Sequence, residues 1–129
     1  MKKYILIIMA VAALAACHEN IEERAARECK EYTNKHCPAP ISEILVNDSM
    51  VYEPAQKTVH YYYSLRGAAD TTALNITNVR EDMLTSIKNS AQLKRYKEAG
   101  FSFRYTYLST KHKGQKLFDF IFTPKEYNG

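Results

Sequence analysis

Three stretches of this chain alternate two sets of residues with a period of two, one set in each rich in aromatic side chains, and that alternation constrains the fold more than any other feature. Val59, Tyr61, Tyr63 and Leu65 alternate with Thr58, His60, Tyr62 and Ser64. Phe101, Phe103, Tyr105 and Tyr107 alternate with Ser102, Arg104 and Thr106, and Phe118, Phe120 and Phe122 with Leu117, Asp119 and Ile121. Successive side chains of a strand point to opposite faces, so each stretch presents one aromatic face that must be covered. The cover is a helix. Ile76, Val79, Met83 and Ile87 recur at helical spacing, and Asn78 with Glu81 has capping-box spacing.

The remaining segments complete the order. Residues 21–34 are rich in helix formers, with a narrow stripe of Ile21, Ala25, Cys29 and Tyr32, and Cys37-Pro38-Ala39-Pro40 ends that helix. Residues 41–53 suit one broken strand or two short ones, bent at Asn47-Asp48-Ser49. Ala91–Ala99 is a second short helical stretch closed by Gly100, and Lys111-His112-Lys113-Gly114 is a hairpin turn. The expectation is an α+β domain: an antiparallel sheet of about four strands with helices on one face, in the order α-β-β-α-β-β.

The amino terminus is of another kind. Met1-Lys2-Lys3 is followed by thirteen uncharged residues, Tyr4 to Ala16, too short a run to span a bilayer as a helix and suited to an export signal. Leu14-Ala15-Ala16-Cys17 resembles the lipobox of bacterial lipoproteins. That resemblance implies cleavage before Cys17 and attachment of diacylglycerol to its sulfur, usually with a further acyl chain such as palmitate on the new amino group. A plain secretory signal with an incidental thiol at position 17 is the alternative. The division expected is residues 1–16 signal peptide, 17–20 lipidated terminus and tether, and 21–129 a single domain.

Removing Lys2 and Lys3 lowers the formal net charge from +4 to +2, which argues against nucleic acid as a partner. With Cys17 assigned to lipid, Cys29 and Cys37 remain. In an oxidising compartment they are expected as a disulfide, with two free thiols as the alternative. Cys29, His36 and Cys37 fit no standard metal spacing, and no cofactor is expected.

Motifs for nucleotide, zinc-protease or Ser-hydrolase chemistry do not occur in the sequence, so catalysis is not expected. The tyrosine-rich faces admit a stacking platform for bases or sugars, but a sheet core beneath the helices is the reading adopted. The opposite face, with His60, Tyr62 and Arg104, and the turn with Lys111 and Lys113, are the candidate contact surfaces for a protein or glycan. His60 itself is expected to be solvated. Arg104 is expected directly or diagonally across from Asp119 in a modest ion pair.

The Tyr/Asn/Lys-rich body resembles envelope proteins of the Bacteroidetes type. Asn34-x-x-Cys37-Pro38, Tyr61-x-Tyr63, Gly100 and Tyr105-x-Tyr107 loosely resemble a family of small exported proteins that lends no activity and no functional residue. The function expected is a non-catalytic interaction module anchored by lipid in the cell envelope, at the outer membrane and facing periplasm or surface. The alternative is an inhibitor of a protease or lysozyme that presents the 109–115 hairpin.

Overall fold

The computed structural model describes residues 19–129. The signal segment and Cys17 lie outside the described residues. The first helix, α1 (Ile21–His36), starts where Asn20 accepts a hydrogen bond from the Glu23 amide, and places Glu22 and Glu23 in its first turn and Lys35 and His36 in its last, as the helix dipole favours. It buries Ala25 and Cys29.

Five strands follow: β1 (Ala39–Pro40), β2 (Leu45–Glu53), β3 (Thr58–Leu65), β4 (Ser102–Ser109) and β5 (Lys116–Phe122). They lie in one sheet in sequence order. Helices α2 (Ile76–Asn89) and α3 (Lys94–Glu98) separate β3 from β4, and a short α4 (Pro124–Tyr127) ends the chain. Thr123 and Glu126 form a capping box at α4.

The α+β class agrees with the sequence, while the sheet is mixed. β3 and β4 run parallel, Tyr61 opposite Tyr105 and Tyr63 opposite Tyr107. The chain leaves β3 at one end, crosses the sheet through α2 and α3, and re-enters at the other, so β4 must run the same way as β3. The fifth strand is the Ala39–Pro40 pair, which the proline-rich sequence presents as a break. Pro at an edge forfeits only one ladder donor and is tolerated there. The expected bend at Asn47-Asp48-Ser49 is a bulge between Asn47 and Ser49. Asn78 does not cap α2: the helix begins after Asn75, which makes no side-chain cap hydrogen bond.

All the helices lie on the face carrying Val59, Phe103 and Phe122. There the core joins Ala25 and Cys29 of α1, Ile87 of α2 and Tyr127 of α4 to these strands. Phe101, Phe103 and Phe122 are fully buried. Tyr127 donates from its hydroxyl to the Phe101 carbonyl at 2.7 Å, so its burial leaves no polar atom unpaired.

Cys29 and Cys37 are free thiols, correcting the expected disulfide. α1 runs on to His36 and Cys37 is its C-cap residue, so the helix holds the two apart by about eight steps of about 1.5 Å, about 12 Å. A disulfide tolerates no more than about 7 Å between Cα atoms.

Candidate functional site

Neighbouring strands are spaced by about 4.8 Å, and packed helices by about 8–10 Å. α1 lies on β2: Thr33 bonds to Met50, and the Tyr52 hydroxyl donates to Glu22. α2 lies at the opposite edge, where Arg80 donates to the Ile121 carbonyl of β5 and to Glu126. The two helices are thus about three strand spacings apart, about 14 Å, too far to pack on each other. Between them β3 and β4 are only partly covered.

The result is a groove of two adjoining depressions of about 470 and 720 Å³ that share Tyr61, Tyr63, Gln92 and Leu93. Tyr61 and Tyr105 stack with ring centres 4.6 Å apart and planes 3° apart, and Tyr63 stacks on Tyr107 at 5.1 Å. The parallel register sets each of these pairs side by side. Burial holds the phenols of Tyr61, Tyr63 and Tyr105 well above the usual tyrosine range and that of Tyr107 at about 12, so they are neutral donors and acceptors. The tyrosines expected as sheet core are therefore both core and groove floor.

The mouth is apolar. Val79 on the α2 side and Ile41 and Tyr32 on the α1 side line the groove and remain exposed, at 42%, 57% and 38%. Short α3 closes one end. Its Tyr96 hydroxyl donates to Glu28, which also pairs with Arg24, and Lys97 Nζ donates to the Ile87 and Lys88 carbonyls at the end of α2. Glu28 is held below the ordinary carboxylate range: burial pushes it up, and the Tyr96 and Arg24 hydrogen bonds together outweigh that. Burial raises the Cys29 thiol to about 11, so it lines the groove as a neutral, unreactive group.

The residues singled out in the sequence fall in two other places. His60, Tyr62 and Arg104 are brought together on the helix-free face. His60 is buried there, at 4% exposure, which corrects the expectation of a solvated ring. It is stacked at 4.0 Å on Tyr62 and flanked by Thr106 and Glu53. Arg104 grips Asp119 with two nitrogens across the diagonal, since Thr106 is the residue directly opposite. Lys111 and Lys113 sit at the exposed hairpin tip, at least five residues of β4 and loop beyond Arg104, about 17 Å. Asp70 holds that tip, accepting from Ser109 Oγ and from the amides of Thr110 and Lys111. Glu53, Thr106 and Asp70 carried no signal in the sequence, because each acts through a strand partner fixed by register.

Among the described residues no group of three His, Cys, Asp or Glu side chains is placed to hold a metal ion, and no helix is long and apolar enough to cross a membrane.

A family model described as a domain of unknown function (DUF8479) matches residues 20–118. No curated protein matches the chain significantly in sequence. In fold it is similar to a protein described as secreted from Pseudomonas aeruginosa, with a TM-score of 0.66 at 13% identity over 84% of this chain and 98% of that one. It is also similar to the type 2 secretion system pilotin EpsS of Vibrio vulnificus (TM-score 0.64, 14% identity, 82% and 90% covered). The type II secretion pilotin AspS of Vibrio cholerae gives 0.61 at 18% identity, with 88% and 98% covered. At these identities the likeness is one of fold.

Proposed function

The chain belongs to the DUF8479 family of domains of unknown function, and on that premise we propose that it is a non-catalytic binding module of a bacterial cell envelope, held to a membrane by lipid on Cys17. Its groove takes an apolar segment of a protein partner. The observation that carries this reading is the uncovered tyrosine floor between α1 and α2, with exposed Val79, Ile41 and Tyr32 around it. A surface that exposes apolar groups around a concave, partly polar floor is suited to receiving anchor side chains. The tyrosine hydroxyls supply polar partners without the desolvation cost of a charge. The ionisable groups around it support binding more than catalysis: Arg24, Glu28 and Tyr96 satisfy one another, and Cys29 is neutral.

Two of the similar folds belong to pilotins, which supports a binding role in the envelope. The lipobox-like Leu14-Ala15-Ala16-Cys17 supports the anchor. Each buried CH₂ contributes about 0.8 kcal/mol, so two or three acyl chains make a durable attachment.

The test is site-specific photocrosslinking in the native host from Val79 and Gln92. One partner is expected to be captured at both positions, to be lost in Tyr63→Asp, and to be retained in Tyr62→Ser on the opposite face. Capture that is indifferent to Tyr63→Asp would overturn the groove as the binding site.

A second reading keeps the hydrolase inhibitor, because Asp70 pre-forms the hairpin tip with three hydrogen bonds. A rigid protruding loop binds at low ordering cost. Lysozyme and protease assays with Asp70→Ala as control decide it: inhibition that weakens in the variant favours the loop.

A further inference from the structure

On the helix-free face, away from the groove, one polar chain crosses four strands. Arg104 of β4 holds the Asp119 carboxylate of β5. Asp119 Oδ1 lies 3.0 Å from Thr106 Oγ1, and Thr106 Oγ1 lies 2.7 Å from His60 Nε2 on β3. His60 Nδ1 in turn lies 3.1 Å from Glu53 Oε2 at the end of β2.

The protons along this chain can be counted. Asp119 is an ionised acceptor, lowered to about 2 chiefly by its hydrogen bond from Arg104. The single hydroxyl proton of Thr106 is therefore donated to Asp119, and towards His60 this oxygen can only accept. Nε2 of His60 must carry a hydrogen. At the other nitrogen a neutral ring offers a lone pair, and an ionised Glu53 offers another. Two lone pairs do not meet at 3.1 Å without a proton between them.

We propose that Glu53 and His60 hold one proton in common, and that its release as pH rises unlatches Glu53 from the open face. Glu53 is the partner that moves. Its side chain is 33% exposed and precedes the Pro54–Gln56 turn, whereas the His60 side chain is 5% exposed and fixed by Thr106 and by the Tyr62 ring. While it is clamped, Glu53 Oε1 is buried with no hydrogen-bond partner. Its swing into water recovers that hydration, so the shared proton is what holds the latch closed.

The groups facing the pair come from every neighbouring strand: Tyr62 on β3, Arg104 and Thr106 on β4, and Asp119 on β5, with Lys116 3.6 Å from Asp119. Arg104 and Asp119 pair with each other and Lys116 is largely in solvent, so the shared proton changes the charge at this point of the face. The pair lies on the face opposite the groove and shares no residue with it.

The test is a pH titration by NMR of the folded chain, following the His60 ring nitrogens and the Glu53 carboxyl carbon. Both are expected to move with one midpoint, with Nε2 protonated throughout. Above that midpoint, amide exchange at Val51–Glu53 and Val59–Tyr62 is expected to accelerate by about tenfold beyond the chain-wide base-catalysed increase, the scale of one charge-assisted hydrogen bond. Glu53→Gln offers Nδ1 a donor and an acceptor without a shared proton, and this local transition is expected to vanish. Separate midpoints for the two groups, a neutral His60 protonated on Nδ1, or a wild-type profile in Glu53→Gln would each overturn the proposal. If that variant does not fold, the wild-type midpoints alone decide it.

Discussion

At the scale of single residues, environment decides chemistry more than residue type does. Cys29 lies within α1 and Cys37 just past its end, and burial raises both thiols, yet Cys29 is buried and raised to about 11, while Cys37 is partly exposed and donates to Asn47 Oδ1 at 3.2 Å. Iodoacetamide at neutral pH is expected to label Cys37 in the folded protein and Cys29 only in denaturant, read by mass spectrometry. Asp119 shows the converse for a carboxylate. Its native value of about 2 lies below the ordinary 3.8, so its contribution to stability is complete above about pH 4 and is lost as pH falls towards 2. Asp119→Asn is expected to lower stability by about 1 kcal/mol at neutral pH, a value discounted for the solvent around it, and to flatten the acid limb of the unfolding curve. The Arg104–Asp119 pair was legible in the sequence, because period-two alternation puts both on one face of a hairpin. The burial of His60 was not: the groups that enclose it come from β2 and β4, whose register no local pattern reveals.

At the scale of elements, β3, β4, β5 and α2 were legible because each carries its own period. The parallel pairing of β3 and β4 was not, because it follows from where the crossover returns the chain. The sheet edges add a second layer of design. Each carries backbone groups open to another strand, and each is met by a side chain from a helix. On β2, which is an edge beyond its short pairing with β1, the Thr33 hydroxyl accepts from the Met50 amide and donates to the Met50 carbonyl, both at 2.9 Å. On β5 Arg80 covers the Ile121 carbonyl at 3.0 Å. Thr33→Ala leaves both Met50 groups without this partner and is expected to cost about 1–3 kcal/mol in urea unfolding, with Thr33→Ser restoring most of it. In the core between these edges, Phe103→Ala is expected to cost about 3–5 kcal/mol, since the ring is fully buried among neighbours that relax only partly.

At the scale of the whole molecule, five strands are wider than two helices can cover, and the groove is the remainder. This was the part of the candidate site the sequence hid. The stripe of Ile76, Val79, Met83 and Ile87 reads as a uniform core-facing edge, yet Ile76 and Val79 are exposed at 43% and 42% while Ile87 is buried. Only the C-terminal half of α2 is driven onto the sheet by apolar burial, while Arg80 ties the N-terminal half to β5. Val79→Lys is therefore expected to change stability by less than about 0.5 kcal/mol in chemical denaturation while abolishing capture of the groove's partner.

The crossover has one more effect. α2 borders the groove, and it is also part of the only covalent link between the two strands at the groove's base. A ligand that wedges this helix outward pulls on the end of β3 and the start of β4 together, at opposite ends of the sheet.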